Sequence, residues 1–559
     1  MKLKLITKRA VTFLLAVVLL NGCLIPHAAN NETAQETGAI PDPLISTTSN
    51  IDALPELSTD STLLSDPESL AEAEAAYRER MQRERAEGIL ADSKIADYVN
   101  TDEFFETKPM FRLTALETLN SYVVQNADNT NTIYFMSENV KYVDAKGEIR
   151  EKEVRLSATE KGFAVTDSDV KLLLPLKLSD GIDVNTDFGS LSLIPQLRAE
   201  SAAKFNEKSN SVLYSGAFGS GASLRYTPTL SGVKEDIILE TSPEENSFEF
   251  RMETQGLYLA EEDGIYYLVS TDNKDSRIRL NQIYIYDANG RFTAGEMSVI
   301  DEGRGKFLLT VAAPREFLDD ANTAYPVVID PSLEIGTMSD TSLIIDAPVF
   351  ALKPNLNAGT WQYESIGYTD STYGLARTVV KLSGLLNNST YQNLTADKIT
   401  NVTFSAKEAT GNSTKTVKLH PITGSPTWTE TSVTWNNYGS FDTSANYGGT
   451  LSGDQWTNFN ITNLVKAWKN GSYNGNGCFI FIMGGTESSQ CRALYSTEYS
   501  GTSNRPYLTV TYNPDIFITS NQFYINEGSV ALPSCIVSAP GTYHFSWSVN
   551  NTNIAMSIL

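Results

Sequence analysis

Trp428-Thr429-Glu430-Thr431-Ser432-Val433-Thr434-Trp435-Asn436 is the stretch from which the rest of the chain is best read. It sets two tryptophans in a Thr- and Ser-rich setting, and Trp435 falls within an alternating run, the period of a half-buried strand. Working outward, Val417–Ile422, Cys478–Met483, Ala493–Thr497 and Tyr507–Tyr512 read as short, evenly punctuated strands. Between them lies one helical pattern. Ile461, Leu464, Val465 and Trp468 recur at i, i+3, i+4 and i+7, and Gly471 ends it. A strand-rich unit over 335–513 with one short helix predicts a two-sheet jelly-roll sandwich.

Three segments in this unit carry a family resemblance: the tryptophan stretch, the Ile461–Gly471 helix, and Arg505-Pro506-Tyr507-Leu508-Thr509-Val510-Thr511-Tyr512. In order and spacing they resemble the DNRLRE domain, which is similar to family-96 carbohydrate-binding modules. The segment that names the family is degenerate here, since Asp370–Leu382 keeps Arg377 without the full string. The resemblance implies a jelly roll on an exported protein, with glycan binding in some relatives. It also implies that Glu430, which could be proposed as a general acid, is a structural turn residue.

Residues 100–334 predict a second β-rich region. Thr132–Val143 and Ile149–Leu156 flank the turn Asp144-Ala145-Lys146-Gly147, and a further turn falls at Asp287-Ala288-Asn289-Gly290. Ile283–Tyr286 and Phe307–Val311 read as strands. Gly232–Leu239 and Ala324–Pro331 resemble the region that precedes the repeats in Rhs/YD-repeat wall-associated proteins. Tyr284-Ile285-Tyr286-Asp287-Ala288-Asn289-Gly290-Arg291 resembles one such repeat. Such repeats act as arrays, so a single copy reads as an ordinary hairpin. Residues 514–559 predict a partial β domain, too short for an Ig-like sandwich.

The N-terminal part predicts export. Lys2, Lys4, Lys8 and Arg9 precede the uncharged apolar run Ala10–Leu20, the pattern of a signal peptide over residues 1–29. Two cleavage readings stay open: a lipobox that would leave Cys23 lipidated, or cleavage near Ala28 or Ala29. Residues 30–99 predict a disordered spacer and then a helix. That helix is capped by Asp66, opened by Pro67 and stopped at Gly88, with Glu74–Arg78 and Glu79–Arg83 spaced to support it. The localisation expected is secreted or cell-surface, with the membrane reached only through the signal peptide or a lipid anchor.

Composition narrows the function. The formal net charge is −24, which disfavours nucleic acid as a partner by phosphate repulsion. The 3 histidines and 4 cysteines leave little for a His-based zinc site, a Ser-His-Asp triad or a disulfide scaffold. No HExxH, P-loop, GxSxG or CxxC motif occurs, and Gly216–Gly221 lacks the strand–helix context of a nucleotide loop. The cofactor is unknown; structural calcium stays open, with no motif to indicate it. Among 67 acids no catalytic pair stands out, so no catalytic residue is assigned. The reading is a non-catalytic protein whose partner is a glycan or cell-wall polymer. A docking or delivery module of an Rhs-type protein is the alternative, and a polysaccharide-degrading enzyme the third. Trp361, Tyr363 and Tyr368, in a loop-like stretch outside the recurring motifs, are the candidates for sugar stacking. Trp428, Trp435 and Trp468 read as core anchors. Cys478 and Cys491 flank Gly484-Gly485 symmetrically and read either as a cross-hairpin disulfide or as two buried thiols.

Overall fold

The computed structural model describes residues 67–337, 344–411, 413–487, 491–518, 535–537, 545–549 and 552–556. The signal peptide, Cys23 and the spacer up to residue 66 lie outside the described residues. The chain divides into residues 1–87 and 88–559. The helix Pro67–Ala91 runs past Gly88, so that glycine does not stop it. A glycine inside a helix costs only about 1 kcal/mol against alanine. The i,i+4 pairs that form on it include Arg80–Glu84 at 2.7 Å and Arg83–Glu87 at 3.0 Å.

The protein is mainly β. In one layer Pro109–Arg112, Ser121–Asn126, Asn131–Met136, Tyr507–Tyr512 and Ile399–Thr410 lie side by side, all antiparallel. The facing layer holds Cys491–Tyr495, Tyr363–Tyr368, Leu375–Leu382, Cys478–Met483 and Lys415–Thr423, with Ile344–Phe350 on Leu375–Leu382. Ile399–Thr410 belongs to both layers and shifts register between Glu408 and Thr410 as it crosses.

Val123, Ile133, Phe135, Phe404, Leu508 and Val510 meet Val380, Leu419, Phe479 and Phe481 in the core between the layers. The helix Thr462–Lys469 adds Leu464, Val465 and Trp468 to it. Cys478–Met483 is buried along its whole length because both of its faces are covered. This explains why Cys-Phe-Ile-Phe-Ile-Met is a continuous apolar run and not an alternating one. The sandwich extends beyond the boundary drawn at residue 335, since the strands of 109–136 fill its first layer. No local pattern signals a pairing between Asn131–Met136 and Tyr507–Tyr512, so far apart in the chain.

A second sandwich fills most of 157–337. Ser247–Gln255 alternates, with Phe248, Phe250 and Met252 inward and Glu249, Arg251 and Glu253 outward. Those inward residues pack with Leu309 and Val311 against Leu224, Tyr226, Ile237 and Leu239 of the opposing sheet. The hairpin expected from Thr132 is shorter: Lys141–Val143 pairs with Ile149–Glu151, because Asn131–Met136 is committed to the other sheet. The turn at Asp287–Gly290 forms between Tyr284–Tyr286 and Phe292–Ala294. There Asp287 accepts from the Asn289 and Arg291 amides at 2.9 Å, and Gly290 takes φ +79°. In the last segment Ile516–Ile518 pairs with Cys535–Val537, and Phe545–Val549 with Thr552–Met556.

Candidate functional site

The tryptophan stretch is a loop of turns, not a strand, and it covers the outer face of the second layer. Trp428, Val433 and Tyr438 pack there on Ile345, Val349, Val379 and Ile480. The Trp428 Nε1–H donates to the Tyr438 carbonyl at 3.2 Å. Asn357 donates to the carbonyls of Glu430 and Val433 at 2.7 and 2.8 Å. Gly359 passes so close that a Cβ there would lie 2.1 Å from the Glu430 carbonyl oxygen, so only glycine fits.

Arg377 and Lys381 share a face of Leu375–Leu382 with Val379, which packs against this loop, and so present their side chains to it. The Arg377 guanidinium lies 5.0 Å from the Trp435 ring centre and 5.3 Å from that of Phe441. It donates to the Tyr438 hydroxyl at 2.9 Å and pairs with Glu487 at 3.0 Å. Lys381 lies 5.3 Å from the Trp428 ring centre and donates to its carbonyl at 3.3 Å. Trp428 and Trp468 are buried, at 4% and 5% exposure. Trp435 is only half-buried, as is Phe441, which corrects the reading of Trp435 as a core anchor. An aromatic pair around a cation, open on one side, can stack on a sugar face and hydrogen-bond its hydroxyls.

The stacking platform expected from Trp361, Tyr363 and Tyr368 does not form. Trp361 is 2% exposed, enclosed by Tyr284, Phe292, Phe350 and Tyr373. Tyr363 is half-buried, between Tyr284 and Tyr286 on one side and Tyr495 and Tyr499 on the other. Tyr368 is 40% exposed at the far end of its strand. The cause is the hairpin Tyr284–Ala294, which docks its aromatics onto the module. The Ala294 amide donates to the Tyr373 hydroxyl at 2.9 Å, and the Gln282 amide to Thr360 Oγ1 at 3.2 Å. Tyr495 and Tyr499 escaped sequence reading because their four-residue spacing falls on a strand end and a turn, where it defines no face.

Cys478 and Cys491 are free thiols. Their strands are not partners: Cys478 pairs with Lys381 and Cys491 with Gly367, which places two strands between them. Burial pushes the thiols up to about 12 and about 11.

Between the two sandwiches lies a polar cavity of about 40 Å³, lined in part by Glu138, Glu334, Glu430, Glu498 and Arg505. Arg279, 3% exposed, pairs with Glu430 at 2.9 Å and also with Glu334, while Arg505 pairs with Glu138. Glu430 of the tryptophan loop is thus held by a cation from the other sandwich, the arrangement of an ion pair and not of a general acid. Nearby, Asp346 accepts from the Thr497 hydroxyl at 2.8 Å. Glu364 is buried, at 2% exposure, beside Asp346 and Thr378. Burial pushes Asp346 up to about 6 and raises Glu364 and Glu498, and repulsion from neighbouring acids adds to the shifts of Glu364 and Glu498. Among the described residues no group of three or more His, Cys, Asp or Glu is placed to hold a metal. His420 is buried, with Nδ1 2.6 Å from the Ala445 carbonyl.

A carboxyl group with a raised folded pKa favours the fold while protonated. Its contribution is complete below the unfolded pKa of about 4 and is lost as pH rises through about 6. Asp346→Asn therefore gains about 2–3 kcal/mol over wild type at pH 8 relative to pH 4. Urea unfolding at the two pH values measures it, and equal differences at both would reject it.

Residues 385–512 match the family described as carbohydrate-binding module family 96. The chain is also similar to the tRNA(Glu)-specific nuclease WapA of Bacillus subtilis subsp. natto (strain BEST195) and to the tRNA nuclease WapA of Bacillus subtilis (strain 168). Each is 27% identical over 341 residues, covering 57% of this chain and 14% of the relative. The chain thus spans about a seventh of the length of these curated relatives. A solved structure, the N-terminal CBM22-1-CBM22-2 tandem domain of Paenibacillus barcinonensis Xyn10C, aligns with 64% of this chain and 99% of its own length. Its identity is 9% and its TM-score 0.10, too low to establish a shared fold. The match that bears on the site is therefore to a carbohydrate-binding module, over the segment that carries the tryptophan loop.

Proposed function

We propose that this chain is an exported, non-catalytic surface protein that binds carbohydrate or cell-wall polymer. The match of residues 385–512 to carbohydrate-binding module family 96 carries the reading. Export rests on the basic and apolar N-terminal pattern. Within the module, the open edge formed by Trp435, Phe441 and Arg377 offers the ring faces and polar groups that sugars take. A second reading, a docking module in a wall-associated Rhs-type protein, is supported by the similarity to the WapA nucleases and by the repeat-like hairpin at Tyr284–Arg291.

The test is calorimetric titration of the full chain with β-linked oligosaccharides. Wild type binds, and Trp435→Ala weakens binding about 2–10-fold, the loss of one aromatic stack. No binding by wild type to any oligosaccharide would reject the carbohydrate reading. Shortened sugar chains in the product would replace it with an enzyme.

A further inference from the structure

We infer a second, composite glycan site on the seam between the two sandwiches, floored by Tyr286, Tyr363, Tyr495 and Tyr499 and selective for uncharged sugars. The inference rests on the carbohydrate-binding reading and extends it to a surface that the module alone does not possess.

Tyr286 comes from the repeat-like hairpin, and the other three rings come from the module. Ring centres lie 6.2 Å apart for Tyr286–Tyr363, 5.8 Å for Tyr363–Tyr495, 5.6 Å for Tyr363–Tyr499 and 4.3 Å for Tyr495–Tyr499. All four are half-buried, so each ring is backed by protein and still reaches solvent. The core members of the same aromatic cluster, Tyr284, Trp361 and Tyr373, are sealed at 5%, 2% and 3% exposure. Among the described residues the Tyr286 and Tyr363 hydroxyls meet no hydrogen-bond partner, and neither is among the sealed polar atoms. They are therefore free to bond a ligand. Tyr499 is held in place by backbone: a Cβ on Gly501 would sit 2.8 Å from its ring.

The rim is polar and already neutralised. Lys407 lies 5.9 Å from the Tyr495 ring centre, donates to Asn504 at 3.0 Å and pairs with Asp454 at 3.4 Å. At the Tyr286 end, Arg225 is paired with Asp236 at 2.7 Å. Each rim cation thus has a carboxylate partner, Asp236 being shared with the buried Lys234, and the chain as a whole is at −24. An anionic polymer would meet net repulsion, whereas a neutral or N-acetylated sugar needs only ring faces and paired donors and acceptors. A shallow aromatic floor with a polar rim suits an extended chain lying across it.

The experiment uses the full chain carrying Trp435→Ala, which removes the module-edge stack, and adds Tyr495→Ala with Tyr499→Ala. Probes are chitohexaose, cellohexaose and an oligogalacturonate, read by calorimetry, with thermal melting to confirm folding. The expected result is that W435A retains binding to a neutral probe. The triple variant then loses a further factor of roughly 4–100, two stacks at about 2–10-fold each. Tyr495→Phe with Tyr499→Phe in the same background stays within about 3-fold of W435A, because the rings remain. Equal affinities of W435A and the triple variant overturn the seam site and leave the module reading standing, as does complete loss with W435A alone. Phe variants as weak as the Ala variants overturn stacking as its basis. Tighter binding of the oligogalacturonate overturns the ligand class. A wild-type chain that binds none of the probes overturns both this site and the reading beneath it.

Discussion

Replacing Arg279 with methionine lowers stability by about 3–5 kcal/mol, the cost of leaving a buried charge uncompensated. Arg279 is 3% exposed and is the cation shared by Glu334 of one sandwich and Glu430 of the other. Without it both carboxylates remain in a cavity already crowded by Glu498, whose own ionisation burial suppresses. Methionine fills a similar volume, so the effect reports charge and not a hole. The thermal midpoint falls by roughly 6–20 °C at neutral pH. Adding Glu430→Gln to Arg279→Met recovers part of it, which a double-mutant cycle quantifies. A methionine variant that melts with wild type at neutral pH would show that the two sandwiches do not depend on this cation.

Trp428→Ala costs about 3–5 kcal/mol, as for other buried tryptophans. Trp428 is 4% exposed, caps the outer face over Val379 and Ile480, and holds the loop closed through the Tyr438 carbonyl. Its loss also leaves the Lys381 ammonium without its ring. Trp435→Ala, seven positions on, costs no more than about 1–2 kcal/mol, since the ring is half-buried and its main partner, Arg377, keeps Glu487. Denaturant unfolding of the two variants side by side checks this. Equal losses would place Trp435 in the core after all.

The pattern of these costs follows what local sequence can and cannot encode. Cys478–Met483 and Tyr507–Tyr512 are legible to the residue, and the helix at Thr462–Lys469 to within a position or two, because each carries its own apolar run, alternation or helical period. Trp361 was misread because a loop-like neighbourhood looks exposed until a hairpin from another sandwich covers it. Of the two readings of Cys478 and Cys491 the structure has the free thiols, because symmetry about Gly484-Gly485 implies a cross-hairpin disulfide only if the flanking strands pair, and here each joins a different neighbour. The Asn131–Met136 strand showed its type but not its sheet. Of the site, the tryptophan loop was visible as a motif. Its dependence on Arg377, Lys381, Asn357 and Gly359 is not, since those residues come from two other segments, a loop and a strand.

The long reach of that first sheet layer governs how the chain matures. Asn131 and Tyr512 are 381 positions apart, yet they lie on adjacent strands joined by side chains as well as backbone. At about 5–20 residues per second, roughly 20–75 s separate the synthesis of the two. During that interval Asn131–Met136 has an unpaired edge, and an unpaired apolar edge recruits other chains. Pairing over so many residues is also intrinsically slow. Maturation of this protein therefore demands that its early strands be kept from neighbouring copies until Tyr507–Tyr512 arrives.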